Sequence, residues 1–279
     1  MKRERFVAPI TYTLLVILAI FTLFPLIWMV FYAIRPRHEM FKFTIPSTIS
    51  FENFQLAIDA LGNPFINSLI LSLSTSIINV AICFLAAYAF SRMQFRGKDI
   101  INDSLSVIYS IPGIFSVIPI FILFKSIGLL QLHPYISLIF LYQTNVTPVS
   151  IWMATDFITS IPKDLDEAAH MDGCSTLGIL FRIIIPICAP LLFTMLLMCF
   201  IEVWNEYLLA SLFIKTKDYY TYTVGIENLS TTAAYTHHGV TDWGFLSASS
   251  MIGFLPIAIL MVYTYKHFIK GLTKGAVKL

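Results

Sequence analysis

The chain has 279 residues, 57% of them hydrophobic and 12% charged, with a net charge of +2 at pH 7. Soluble domains carry about 25% charged residues, so the composition excludes an ordinary soluble domain and indicates an integral membrane protein. A charge so near zero gives no reason to expect a nucleic-acid partner.

In chain order, Lys2, Arg3 and Arg5 precede a charge-free run over residues 9–34. A signal-peptide core is only about 7–15 residues and ends at small residues. This run is longer and ends in Trp28, Met29, Phe31 and Tyr32, so it reads as an uncleaved first span. Further runs near the roughly 20 residues a spanning helix needs cover residues 64–91, 104–124, 126–155 and 243–265. One more, 183–214, is interrupted only by Glu202 and Glu206. Pro112 and Pro119 predict a kink in the third run. The expected fold class is an all-α membrane protein of six transmembrane helices.

Six spans put both termini on one side. Lys2, Arg3, Arg5, Arg92, Arg96, Lys98, Lys163, Arg182, Lys266, Lys270, Lys274 and Lys278 then share a side. Arg35, Arg37, Lys42, Lys125, Lys215 and Lys217 share the other. The positive-inside rule makes the first side cytoplasmic. The external stretches 35–63 and 215–242 lack the apolar periodicity of a core. The four cysteines, Cys83, Cys174, Cys188 and Cys199, have no metal or disulfide spacing and read as small apolar fillers. His133, His237 and His238 have no metal-ligand spacing with acids, so no metal site is expected.

The segment 164–186, between spans four and five, does not match the apolar sequence around it. Pro162 suits a first helical position, and Asp164, Asp166 and Glu167 suit the positive end of a helix. Leu165, Ala168 and Ala169 fall at i, i+3 and i+4, giving a face without bulk. Gly173 supplies a left-handed stop, Ser175 can cap a second short helix, and Pro186 leads into span five. The result is a helix–turn–helix elbow suited to close docking of a partner, with acids able to pair with its arginines. A plain solvated loop is the alternative.

The elbow reads Glu167-Ala168-Ala169-His170-Met171-Asp172-Gly173, followed by Ile183-Ile184-Ile185-Pro186. This resembles the EAA loop of binding-protein-dependent ABC importer permeases. F-P-L-I-W-M-V (24–30), N-S-L-I (67–70), A-A-Y-A-F-S-R-M-Q-F-R-G-K (86–98), W-N-E-Y (204–207) and G-L-T-K-G-A-V-K (271–278) extend the likeness to the maltose-permease type of the carbohydrate-uptake subfamily. The resemblance implies a type I ABC importer transmembrane domain at residues 64–268, its coupling loop at 160–186. A first helix and external segment would precede it (1–63) and a cytoplasmic tail follow (269–279).

It also implies a multi-pass protein of a prokaryotic cell membrane with both termini cytoplasmic. The implied partners are a dimer of ABC ATPase subunits, a second homologous permease, an extracytoplasmic solute-binding protein and a carbohydrate substrate. Glu167, Ala168, Ala169, Asp172, Gly173 and Pro186 would form the coupling contact with the ATPase, and the tail 274–279 a second one. The external stretch 215–242, with Tyr219, Tyr220, Tyr222 and Tyr235, would reach the binding protein. The chain would bind no cofactor, ATP–Mg residing on the partner subunits, and it would be no enzyme. It contains no G-x-x-x-x-G-K-[ST] motif.

The substrate-path candidates are Asn205, Glu206, Glu202, Trp204, Tyr207 and Asn145. Glu202 and Glu206 are spaced i, i+4 and read as one polar face of helix five, lining a path or simply meeting water near its outer end. Trp204 and Tyr207 could stack on a sugar or anchor the interface. Asn145 and Thr147 could line the path or bond between helices. The competing readings are an ion-coupled secondary transporter using the two glutamates, and a membrane scaffold.

Overall fold

The computed structural model describes the backbone of residues 2–129, 133–230, 232, 236–237 and 240–276, and the side chains of residues 11–113, 115, 117–129, 133–230, 232 and 241–264. Tyr235, His238 and the last tail residues, 277–279, lie outside the described residues.

The apolar runs become helices: α1 (Lys2–Ala33), α2 (Glu52–Arg92), α3 (Lys98–Ser110), α4 (Ile114–Ser126) and α5 (Pro134–Ser160). The elbow follows as α6 (Asp164–Met171) and α7 (Thr176–Ile187), then α8 (Ala189–Asn205) and α9 (Leu208–Phe213). Beyond them lie α10 (Tyr222–Ser230), a two-residue antiparallel pair, β1 (Thr236–His237) and β2 (Val240–Thr241), and α11 (Trp243–Ala276).

Among the described residues, three helices are long and apolar enough to cross a membrane: Thr11–Ala33 of α1, α2, and Trp243–Thr264 of α11. The pair α7–α8, bent by 75°, makes a fourth if counted as one crossing. Two of the six expected spans are not single straight helices: the third, where a kink was expected, and the fifth. The third run divides into α3 and α4, because Ile111, which precedes Pro112, is forced into extended backbone (φ −84°, ψ 118°). Pro119 stays inside α4. The fifth run bends at Cys188 and ends at Asn205. Pro186 and Pro190 lack the N–H groups that would continue the ladder, and a π-turn spans Leu180–Ile184 just before. At 27 residues α5 is long, but Gln143, Thr144, Asn145, Thr147 and Ser150 make its middle polar.

The chain divides into two compact units, Met1–Asn63 with Gly225–Leu255, and Pro64–Val224 with Pro256–Leu279. In the first, the loop after α1 is built on one buried cation. Arg35, 1% exposed, donates to the carbonyls of Glu39, Lys42 and Thr44. Asn53 donates to the carbonyls of Ala33 and Arg35 at 3.1 and 2.9 Å, closing the end of α1. Arg37 pairs with Asp242 at 3.1 Å, and Asp242 caps α11 through the Phe245 N–H. This order left no periodic signature, because its bonds run to backbone carbonyls rather than to an apolar stripe.

In the second unit, one core packs α2 (Cys83, Phe84, Ala87, Tyr88), α5 (Ile151, Ala154, Ile158), α6 (Ala169) and α7 (Ile179, Leu180, Ile184). The other joins α5 (Leu138, Leu141, Tyr142), α8 (Cys199, Val203) and α9 (Leu209, Ala210, Phe213).

Candidate functional site

The elbow is defined by its caps. Gly173 adopts φ +81°, open to glycine at little cost. The Gly173 N–H bonds to His170 O at 3.0 Å and the Cys174 N–H to Ala169 O at 2.9 Å, the paired bonds of a Schellman stop. His170 Nδ1 meets the Cys174 carbonyl at 3.1 Å, which requires the proton on Nδ1. Ser175 then caps α7, its hydroxyl accepting the Gly178 N–H at 3.2 Å. Asp172 is the exposed C-cap of α6, and Pro186 lies exposed in the last turn of α7.

The small face divides. Ala169 turns into the chain's own core beside Ile158 and Ile179, while Leu165, Glu167, Ala168 and Met171 are exposed, Met171 at 89%. Ala169 is therefore not on the reachable face; Ala168 is. The acids divide too. Asp166 pairs within the chain, its carboxylate 2.5 Å from Arg92 Nε at the end of α2, so this acid is not free for a partner's arginine. Arg92 Nη2 also donates to the Ile161 carbonyl at 2.9 Å. Glu167 meets no hydrogen-bond donor among the described residues. It lines an open concavity of about 300 Å³ with Tyr88, Arg92, Lys163, Asp166 and His170.

Glu206 and Glu202 do not share a helical face. The helix stops at Asn205 because Glu206, in extended backbone (φ −70°, ψ 129°), caps α9. Its carboxylate accepts the N–H of Leu209 at 2.6 Å, the N–H of Ala210 at 3.0 Å and the Tyr142 hydroxyl at 2.7 Å. Its carbonyl accepts the Thr223 hydroxyl at 2.8 Å. Such local bonding competes with helix continuation. Trp204, 3% exposed, stacks on Phe200 and meets Phe65 and Tyr222 edge or tilted. Tyr207 and Asn205 are exposed.

Glu202 and Asn145 come together elsewhere. They line a cavity of about 240 Å³ with Tyr109, Val149, Ser150, Met153 and Met198. Beside it runs a polar ladder between α2 and α5. Ser150 donates to Asn79 Oδ1 at 2.8 Å, Asn79 to Gln143 Oε1 at 3.0 Å, and Gln143 to the Thr75 carbonyl at 3.0 Å. Thr147 belongs to this bonding, its hydroxyl 3.5 Å from Gln143 Oε1.

Sequence reasoning missed Arg92, Asn79, Gln143 and Ser150; polar residues inside apolar runs were the available signal for the last three. Asn67 and Ser68 were noted only as a motif. They hold residues 218–222, Asn67 donating to Asp218 O at 2.7 Å and Ser68 accepting the Tyr222 N–H at 2.7 Å. His133, given no role, caps α5 by accepting the Tyr135 N–H at 3.3 Å. Among the described residues no three His, Cys, Asp or Glu side chains converge as metal ligands would.

Apolar helices that expose their greasy faces, polar side chains bonded to one another between them, and an exposed elbow define a multi-pass membrane component. The sequence profile described as "Binding-protein-dependent transport system inner membrane component" matches residues 79–274, and the chain belongs to that family. It is 31% identical to the inner membrane ABC transporter permease protein YcjP of Escherichia coli, over 95% of this chain and 94% of that one. It is 33% identical to the trehalose transport system permease protein SugB of Mycobacterium tuberculosis (92% and 93% covered). With the trehalose/maltose transport system permease protein MalG of Thermococcus litoralis the identity is 32% (94% of each). A solved bacterial ABC transporter involved in alginate import shares the fold, with a TM-score of 0.78 and 21% identity, over 96% of this chain and 98% of that one.

Proposed function

We propose that this chain is one of two permease subunits of an ATP-driven sugar importer, and that the exposed face of α6 is where a partner ATPase pushes. The observation that carries the reading is the elbow. Glu167, Ala168, Leu165 and Met171 stand exposed on a short helix whose stop, cap and buried flank are all fixed within the chain. A face so supported yet so open is built for docking. Curated relatives named for trehalose and maltose transport support a sugar as the cargo.

Six crossings, α1, α2, α3–α4, α5, α7–α8 and α11, would keep both termini cytoplasmic and put α6 on the side where ATP is available. Closure of the ATPase dimer would then turn the permease between inward- and outward-facing arrangements, a coupling free energy carried by an element with two positions. A binding protein would deliver the sugar from outside. The partner subunits would hold ATP–Mg and perform the hydrolysis.

Within the path, Glu202 and Asn145 are the residues that offer bonds to a sugar, because they share a cavity and Glu202 has no donor within the chain among the described residues. Glu206 and Trp204 hold the frame around them. Uptake of a panel of labelled disaccharides and oligosaccharides by cells with and without this chain tests the reading. Uptake of one sugar should require the chain and cease on ATP depletion with the proton gradient preserved. Uptake that persists without ATP and follows an ion gradient instead would favour the secondary-transporter reading.

A further inference from the structure

The strongest feature that the docking reading leaves unused lies at the end of α2. Arg92 and Asp166 form a half-buried ion pair, with side chains 7% and 14% exposed. Arg92 reaches both sides of the turn between α5 and α6, ion-pairing with Asp166 in α6 and donating to the Ile161 carbonyl just past α5. Helices α5 and α7 are joined to α6 by short turns of chain. Helix α2 is not; it reaches α6 through this ion pair and the core beneath it, where Ala87 and Tyr88 pack with Ile158, Ile161 and Ala169.

The other contacts of α2 give the pair a destination. Asn79 lies thirteen residues before Arg92, about 20 Å along a helix rising ~1.5 Å per residue. There it bonds Ser150 and Gln143 of α5. Ser150 lines the cavity that holds Asn145 and Glu202. One helix therefore connects a half-buried charge pair with the elbow to the polar wall of that cavity. Moving α6 without α2 would separate a half-buried ion pair, which is unfavourable.

We propose that Arg92 is a positioning residue for transport: it makes α2 follow the elbow, so that a push on α6 reaches the cavity wall through Asn79. The proposal rests on the reading of α6 as the ATPase contact.

The test uses the complete importer, with Cys174→Ser and spin labels at Gln94 and Met171, both exposed positions. In the chain with Arg92 and Asp166 intact, the Gln94–Met171 distance should stay single and narrow without nucleotide and after trapping with ATP and vanadate. In Arg92→Met it should broaden or shift on trapping. ATP hydrolysis should persist while uptake falls about tenfold, the scale of a lost coupling energy. The exchanged pair Arg92→Asp with Asp166→Arg should restore a narrow distance and recover uptake. A narrow, unchanged distance with full uptake in Arg92→Met would overturn the proposal. If Arg92→Met does not assemble, the exchanged pair decides: assembly with a narrow distance supports the link, and failure of the exchanged pair as well counts against it. The underlying reading fails separately, if the ATPase leaves the mobility of the Met171 label unchanged in the chain with Arg92 and Asp166 intact.

Discussion

Residues 163–175 and residues 202–210 both interrupt an apolar chain with acids, and they use them in opposite ways. Around Glu206 the acid is spent inward. Two backbone N–H groups and the Tyr142 hydroxyl occupy its carboxylate, and the helix break it causes is part of the frame. At the elbow one acid, Asp166, is spent inward on Arg92, while Glu167 is left standing outside. An acid inside a membrane protein thus says little by itself; where its hydrogen bonds go separates scaffold from contact surface.

The largest effect that would break this contrast concerns Glu206. Glu206→Ala removes a carboxylate from three donors, and charge-assisted bonds of this kind contribute about 1.5–3 kcal/mol each, not additively. We expect a loss of about 3 kcal/mol, read as a fall in the thermal unfolding midpoint of the purified chain. Unchanged stability with altered sugar affinity would move Glu206 from frame to path.

Next is the elbow stop. Gly173→Val forces a β-branched residue to φ +81°, at about 1–2 kcal/mol of local strain. Among the described residues beyond its chain neighbours, no atom stands within 4 Å of the Cβ it would add, so the effect is conformational rather than steric. The variant should insert and fold, yet lose most ATP-driven uptake, measured in cells at matched expression.

A smaller effect is expected at Glu202. Glu202→Gln removes a charge that meets no donor among the described residues and should change stability by less than about 0.5 kcal/mol, as exposed substitutions do. Uptake kinetics should change while the unfolding midpoint does not, the reverse of Glu206→Ala.

The smallest concerns pH and lies away from both regions. The Ser47 hydroxyl and N–H, with Lys42, hold the Glu39 carboxyl at a pKa of about 2. An unfolded glutamate titrates near about 4.3. The folded value is the lower one, so this contribution is complete above about pH 4.3 and fades as pH falls toward 2. Protease cleavage within residues 35–50 should accelerate over that window, and Ser47→Ala, by raising the folded pKa, should narrow the window from its lower end and weaken the acceleration.

What could be read from sequence follows the range of the forces. The Gly173 stop and the Ser175 cap were legible because both act within a few residues. The break near Pro112 was legible for the same reason. The Arg92–Asp166 pair was not, since nothing local tells a topology-setting arginine from one folded back onto an acid far along the chain. The i, i+4 reading of Glu202 and Glu206 assumed an unbroken helix, and the side-chain cap at Glu206 ended it. The loop after α1 escaped notice because Arg35 orders it through backbone carbonyls, which leave no mark on hydropathy.

The central claim is that the open face of α6 meets an ATPase. A photo-crosslinking amino acid placed at Ala168, with Tyr207 as an exposed position outside the elbow, tests it in membranes holding the whole importer. The account predicts an adduct with the ATPase subunit from position 168 and none from 207. No ATPase adduct from 168, in an importer that still hydrolyses ATP and transports, would contradict it.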